Sequence, residues 1–274
     1  MSRISLGTAA RIALVAPAVI VANPAQAGMG DLLVAPTRVV LNGSRGTEVI
    51  LNNIGDGVAT YRISAELRRM TPDGKLVDVE LPNDKEKAAQ GMVLYAPRKV
   101  TLPPNQPQAI RLSARAPEGL PDGEYRVHML FRAIPAPQPA AAPLKKAEGV
   151  SFQLRPIYGV TIPVIVRLGN LEAKAALSNV HKVSEDGKPA IAVDISRTGS
   201  RSTFGEVRVL KAGVEKPIAM VSGVAVYTEI GQRTLKLPVD PTLTAYATGQ
   251  VTVQYVEPTD TGPVTLAETS AVLN

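Results

Sequence analysis

The apolar residues of this chain come in short alternating runs, and turn residues end each run before a helix can form. Residues 60–70 (TYRISAELRRM) place Tyr61, Ile63, Ala65 and Leu67 on one side of a two-residue period. That run ends at Pro72-Asp73-Gly74, where each residue type favours a turn. Residues 32–41 end in the same way at Asn42-Gly43, and residues 47–54 at Gly55-Asp56-Gly57. Strands are predicted again over 92–102, 108–114 and 124–134, with 75–80 as a short edge strand. The charged run 82–90 reads as a loop or a helical turn. Helical periodicity is not sustained, and turn signals recur every 8–12 residues or so, which predicts an all-β sandwich or barrel.

The second half has the same texture. Strands are predicted over 173–183, 190–197, 206–210, 218–226, 234–237, 250–256 and 266–272, with turns at Glu185-Asp186-Gly187, Thr198-Gly199 and Ala212-Gly213. A length of 274 residues suits two domains of ordinary size. We place them at 28–167 and 168–274, hinged at Leu168-Gly169-Asn170-Leu171. The chain has no cysteine, so each core rests on packing alone. Thiol catalysis and thiolate metal sites are excluded with it. Aromatics are 4% and Trp is absent, so the cores must be mainly aliphatic. Residues 120–125 (LPDGEY) read either as a tyrosine corner of an immunoglobulin-like sandwich or as a plain hairpin turn leading into a strand. The disulfide cysteine that would follow such a corner is replaced by Val127.

The first residues read as an export leader. Arg3 and Arg11 are the only charges, residues 12–21 are apolar, and Ala25-Gln26-Ala27 fits a cleavage site, so residues 1–27 form the expected signal peptide. The apolar run is too short to span a bilayer. With no other long apolar stretch, the processed chain is expected to be soluble, with no membrane insertion. Its charge is 28 basic against 24 acidic residues, or +4, without a basic stripe, so nucleic acid is not an expected partner.

Catalytic chemistry is hard to assemble. The two histidines, His128 and His181, fall one in each half. No nucleophile elbow, phosphate loop or dinucleotide fingerprint occurs. Glu66, Glu80, Glu118 and Glu124 are scattered and read as solvated charges. The expectation is a binding protein and no enzyme, with no cofactor and no metal.

One segment resists a simple reading. Residues 149–167 (GVSFQLRPIYGVTIPVIVR) follow the Pro/Ala-rich stretch 135–148, a loop by composition. Val150, Phe152 and Leu154 alternate, as do Val160, Ile162, Val164 and Val166, yet Pro156 and Pro163 interrupt. Proline cannot donate to a ladder, so it marks an edge strand. An apolar edge is an aggregation hazard unless something covers it.

Several segments, in order, resemble the periplasmic chaperones of the chaperone–usher pilus pathway, the PapD-like family. APTRVVLNGS (35–44), with its Thr37-Arg38 pair, looks like that family's opening strand. TEVILNNIGDGVATYRISA (47–65) is similar to the next two. YAPRKVTLPPNQPQAIRLSAR (95–115) and PDGEYRVHMLFRAIP (121–135) resemble later strands, the second closing on a basic residue and x-I-P. The resemblance spans most of 32–167 and weakens beyond, and the missing lysine described below places the chain in a divergent branch. It implies two immunoglobulin-like β-sandwich domains at an angle, with a cleft between them. It implies a periplasmic protein that caps secreted pilus or fimbrial subunits by lending them a strand and delivers them to an outer-membrane usher. Val150, Phe152 and Leu154 would then be the donor residues, an apolar face meant for another protein's core. In the free protein a second copy, as a self-capping dimer, is another way to hide that edge.

The family grips the subunit's C-terminal carboxylate with an Arg on the first strand and a Lys on the last. Arg38 matches the Arg through its Thr-Arg context. No lysine lies between Lys146 and Lys174, and its expected place falls near Gly159 or Pro163. Either Arg155 or another cleft group substitutes, with Tyr158 offering a hydroxyl, or the carboxylate relies on Arg38 alone. The alternative is a structural or adhesive β-sandwich, such as a pilus component itself. A carbohydrate-binding module would call for exposed aromatics, for which a chain with no Trp and three Phe is poorly equipped.

Overall fold

The computed structural model describes residues 31–43, 45–135 and 157–274. The expected leader, the donor residues Val150, Phe152 and Leu154, and Arg155 lie outside the described residues.

The first sandwich runs through β1 (Leu32–Ala35), β2 (Val39–Asn42), β3 (Thr47–Asn53), β4 (Ala59–Glu66), β5 (Arg68–Met70), β6 (Leu76–Asp78), α1 (Asp84–Met92), β7 (Val93–Ala96), β8 (Lys99–Leu102), β9 (Pro107–Ala114), β10 (Gly123–Ile134) and β11 (Gly159–Leu168). One sheet has the order β1-β3-β9-β7 and the other β2-β11-β10-β4-β8, while β5 and β6 form a separate hairpin. Two runs predicted as single strands, 32–41 and 92–102, are each divided between the two sheets. Pro36 separates β1 from β2, and Pro97 separates β7 from β8. A proline removes a ladder donor at each crossing, so the chain changes partners where pairing is already broken.

The run predicted as a loop or helical turn is the helix α1. Its capping box is complete: Asn83 Oδ1 accepts from the Glu86 N–H at 2.9 Å, and Glu86 Oε2 accepts from the Asn83 N–H at 2.8 Å. Ala89 and Met92 turn into the core.

That core is built from alternate residues: Tyr61 and Ile63 on β4, Val127, Met129 and Phe131 on β10, and Ile162, Val164 and Val166 on β11. The Tyr125 hydroxyl donates to the Pro121 carbonyl at 2.7 Å, which resolves residues 120–125 as a tyrosine corner.

The second sandwich comprises β12 (Ala173–Glu185), β13 (Lys188–Gly199), β14 (Thr203–Leu210), β15 (Ala219–Val226), β16 (Gln232–Pro238), β17 (Gly249–Thr259) and β18 (Gly262–Leu273). Its sheets have the orders β12-β13-β16 and β15-β14-β17-β18. Ile191, Val193, Val207, Val253 and Tyr255 fill its core. The chain enters it through Gly169 at φ +78°, where a Cβ would collide with the Asp122 carboxylate. Only glycine takes that backbone at no steric cost.

The two sandwiches meet over a small third cluster of Met70, Ile165, Ala225 and Tyr227. Polar contacts surround it. The Met70 N–H donates to Glu229 Oε1 at 2.8 Å, and the Thr234 N–H to the Pro72 carbonyl at 2.8 Å. Arg126 grips Glu229 through both terminal nitrogens and stacks 3.5 Å from the Tyr227 ring centroid.

Candidate functional site

Strand β11 is half covered. On one side it pairs antiparallel with β10 along its whole length, from Gly159–Arg132 to Leu168–Gly123. On the other it pairs with β2, in parallel, only from Val164–Val39 to Arg167–Asn42. Among the described residues no strand covers that second side of Gly159, Val160, Thr161, Ile162 and Pro163.

The direction of each backbone group follows from one bond. The Ala133 N–H donates to the Tyr158 carbonyl at 2.9 Å, so Tyr158 faces β10. Backbone groups alternate along a strand. Val160, Ile162, Val164 and Val166 therefore also bond toward β10, while Gly159, Thr161 and Pro163 turn to the open side. Pro163 accordingly removes no bond from the β10 ladder. The edge predicted from this proline exists, but only in the first half of the strand, because β2 closes the rest.

Arg38 stands where the open edge stops. It precedes Val39 and so lies level with Pro163, one of the two positions near which a lysine was expected. Its Nη2 donates to Ser202 Oγ at 3.5 Å, and its guanidinium carbon sits 4.4 Å from the Phe204 ring centroid. Both partners come from the second sandwich. Its Nη1 is buried without a hydrogen-bond partner among the described residues. Burial pushes the Arg38 pKa down, which the Tyr227 and Glu124 charges partly offset. Arginine stays protonated even so, and a buried cation with an unused donor favours an anion beside it.

Arg38 opens into a cleft of about 820 Å³ between the sandwiches, lined also by Val40, Arg167, Arg201, Phe204 and Glu257. The other two arginines are already neutralised. Arg201 holds Glu257 by a two-pronged fork at 3.0 Å for each bond. Arg167 Nε donates to Glu124 Oε2 at 3.1 Å. The same oxygen accepts the Ser202 N–H at 3.0 Å, which ties the sandwiches together. Glu124 is thus no solvated charge, as expected from its scatter with other glutamates, but is 2% exposed. A second groove, of about 450 Å³, crosses β7 and β9 beside Leu94 and Tyr95, and its one arginine, Arg111, is paired with Glu48 at 3.4 Å.

His128 faces the junction, edge-on to Tyr227 at 6.2 Å between ring centroids. Both its nitrogens are buried and unpartnered. Burial, with the charges of Arg126 and Arg68, holds its pKa down to about 3, so it is neutral and packs as an apolar ring. Among the described residues no three His, Cys, Asp or Glu side chains gather to hold a metal.

Of the residues singled out from sequence, Arg38 is at the cleft, and Tyr158 is exposed at the entrance of β11. Ser202, Phe204, Arg201 and Glu257 were missed. They lie more than 160 residues from Arg38 and carry no local motif.

No family model and no curated protein matches the chain. Solved structures similar to it include the YadV chaperone (16% identity, covering 89% of this chain and 100% of that one, TM-score 0.44). The Pseudomonas aeruginosa CupB2 chaperone is similar at 15% identity, covering 88% and 100%, with a TM-score of 0.46. A chain of the Salmonella enterica SafA pilin–SafB chaperone complex is similar at 15% identity, covering 90% and 98%, with a TM-score of 0.45.

Proposed function

We propose that this protein is an exported, periplasmic chaperone for pilus or fimbrial subunits. It lends the open edge of β11 to a client sandwich that lacks a strand, and it binds the client's C-terminal carboxylate at Arg38. The single observation that carries this reading is the coincidence of the two features. The free edge of Gly159 to Pro163 stops at β2, and the unpartnered guanidinium nitrogen lies at the stopping point.

A client strand whose last residue reaches Arg38 runs in the same direction as β11, end to end with β2. Gly159 and Thr161 offer it both N–H and C=O, while the Pro163 C=O is already taken by the β2 ladder. Each such bond contributes about 0.5–1.5 kcal/mol net. The guanidinium then meets the terminal carboxylate with two parallel donors. The Ser202 hydroxyl is the nearest candidate to share the work of the missing lysine. Val150, Phe152 and Leu154, upstream in the sequence, keep the proposed role of donor residues, and delivery to an outer-membrane usher completes the reading.

The alternative, that the chain is itself a pilus component, needs a core left open for another protein's strand. Here Ile162, Val164 and Val166 of β11 close the first core, each at 2% exposure or less. The deciding experiment co-expresses the protein with a secreted subunit from its own locus. A soluble one-to-one complex is expected, with subunit lost when Arg38→Ala is used. Normal accumulation of subunit with that variant overturns the anchoring role.

A further inference from the structure

The outer face of the β2-β11-β10-β4-β8 sheet, the face that carries Arg38, changes character along its length. Next to the junction its rows are neutralised or buried: Glu124 beside Arg167, Arg126 beside Ile165, His128 beside Pro163. The next row, Leu130 between Thr161 and Ser64, is uncharged and half-buried. Beyond it the register sets Gly159, Arg132, Arg62 and Lys99 side by side. Three cations thus stand in one row on neighbouring strands, all exposed, and none pairs with an acid among the described residues.

Like charges directly opposite one another on a sheet repel. The row weakens the free protein, and an anion laid against it removes the penalty. Arg132 is next to the open edge, and only Gly159 lies between. Gly159 adds no side chain there, and the neighbour that leans over it, Leu130 with Cδ1 3.0 Å from where a Cβ would stand, is uncharged. Arg38 takes the place level with Pro163, so the last place open to a client is level with Ile162, three residues from Gly159 or about 10 Å along the strand.

We propose that Arg132, backed by Arg62 and Lys99, selects clients with an acidic side chain on the third residue before the C-terminal one. The inference rests on the proposed strand addition at β11. A strand whose last residue stops level with Ile162, with its carboxylate meeting Arg38, brings that residue level with Gly159. Three residues is an odd step, so its side chain points away from the terminal residue's face, to the outer face that carries Arg132. A carboxylate side chain, rather than a nucleic acid, is the fitting occupant. The row is only about 10 Å wide across three strands, and no aromatic side chain stands in it to stack a base.

The test uses fluorescent octapeptides of β-forming sequence that end in a free carboxylate, with Glu, Gln or Lys as the third residue before the C-terminal one, and an amidated copy of the Glu peptide. At low salt the Glu peptide is expected to bind roughly fivefold more tightly than the Lys peptide, and the gap should shrink as salt rises. Arg132→Glu should reverse the order. It should also leave the melting temperature unchanged or raised, because it relieves a repulsion. Equal binding of the three peptides, or an order indifferent to Arg132→Glu, overturns the row while the anchor stands. If amidation and Arg38→Ala both leave binding unchanged, the strand-addition reading itself fails. Short-chain polyphosphate that binds the row more tightly than the Glu peptide overturns its assignment to a client side chain.

Discussion

The Arg38 guanidinium lies 4.4 Å from the ring centroid of Phe204, and the two residues belong to different sandwiches. The proposed anchor is therefore held by a surface that the first sandwich does not contain. Phe204→Leu removes the aromatic face and keeps most of the bulk. A stacked cation of this kind is worth about 0.5–2 kcal/mol. Affinity for a peptide with a free C-terminus should fall by roughly fivefold, and affinity for its amidated form should not change. Titration of both peptides against both proteins gives the comparison, and Phe204→Tyr should restore the difference.

The alternation of backbone groups along β11 makes a sharper contrast. Thr161→Pro removes an N–H that faces the open edge, so the protein should fold with an almost unchanged melting temperature. Its client complex should weaken by about tenfold, as one ladder bond and its geometry are lost. Val160→Pro removes an N–H that faces β10, leaves a buried carbonyl unsatisfied and should destabilise the fold by about 1–3 kcal/mol. Similar melting curves for the two variants contradict the assigned directions.

Glu124 is a buried carboxylate that holds Arg167 and the Ser202 N–H with one oxygen. Removing one partner of a buried pair leaves the other charge uncompensated, at a cost of about 3–5 kcal/mol. Glu124→Ala should therefore loosen the junction far more than Arg111→Ala, which breaks an exposed pair. Limited proteolysis at the hinge around Gly169 and denaturant unfolding both read this difference.

His128 gives the fold an acid limit. Its pKa is about 3 when folded, against an ordinary 6.5. The unfolded chain binds a proton that the folded one refuses over that interval. Stability is fully present above pH 6.5 and is lost as pH falls toward 3, by an amount on the order of 1 kcal/mol per pH unit. His128→Leu should flatten this limb while leaving neutral stability almost unchanged. Urea titrations at several pH values between about 3.5 and 7 measure it; parallel curves for the two proteins contradict the assignment.

The strands were readable because each buries one face, which leaves a two-residue period in the sequence. The sheet switches at Pro36 and Pro97 were not, because alternation continues across each proline while the hydrogen-bonding partner changes. Helix α1 was hidden by its charge, although Asn83 and Glu86 stand at the spacing of a capping box. Arg38 was reached through its neighbour Thr37 and a family pattern. Nothing near it announces Phe204 or Ser202, since a site between two sandwiches is made by their docking and not by any one segment. Glu124 was misread for a related reason: it alternates outward from its own core, and only the second sandwich buries it.

Strand β2 does more than close half of β11. Because it blocks the lane at one end, a guest strand added as proposed is counted from its last residue and not from any motif within it. Faces alternate with every residue, and a slip by one exchanges them all. The terminal carboxylate therefore sets the phase of the whole guest strand, and parity from the C-terminus decides which side chains point inward. A single residue added to a client's end would turn that strand inside out.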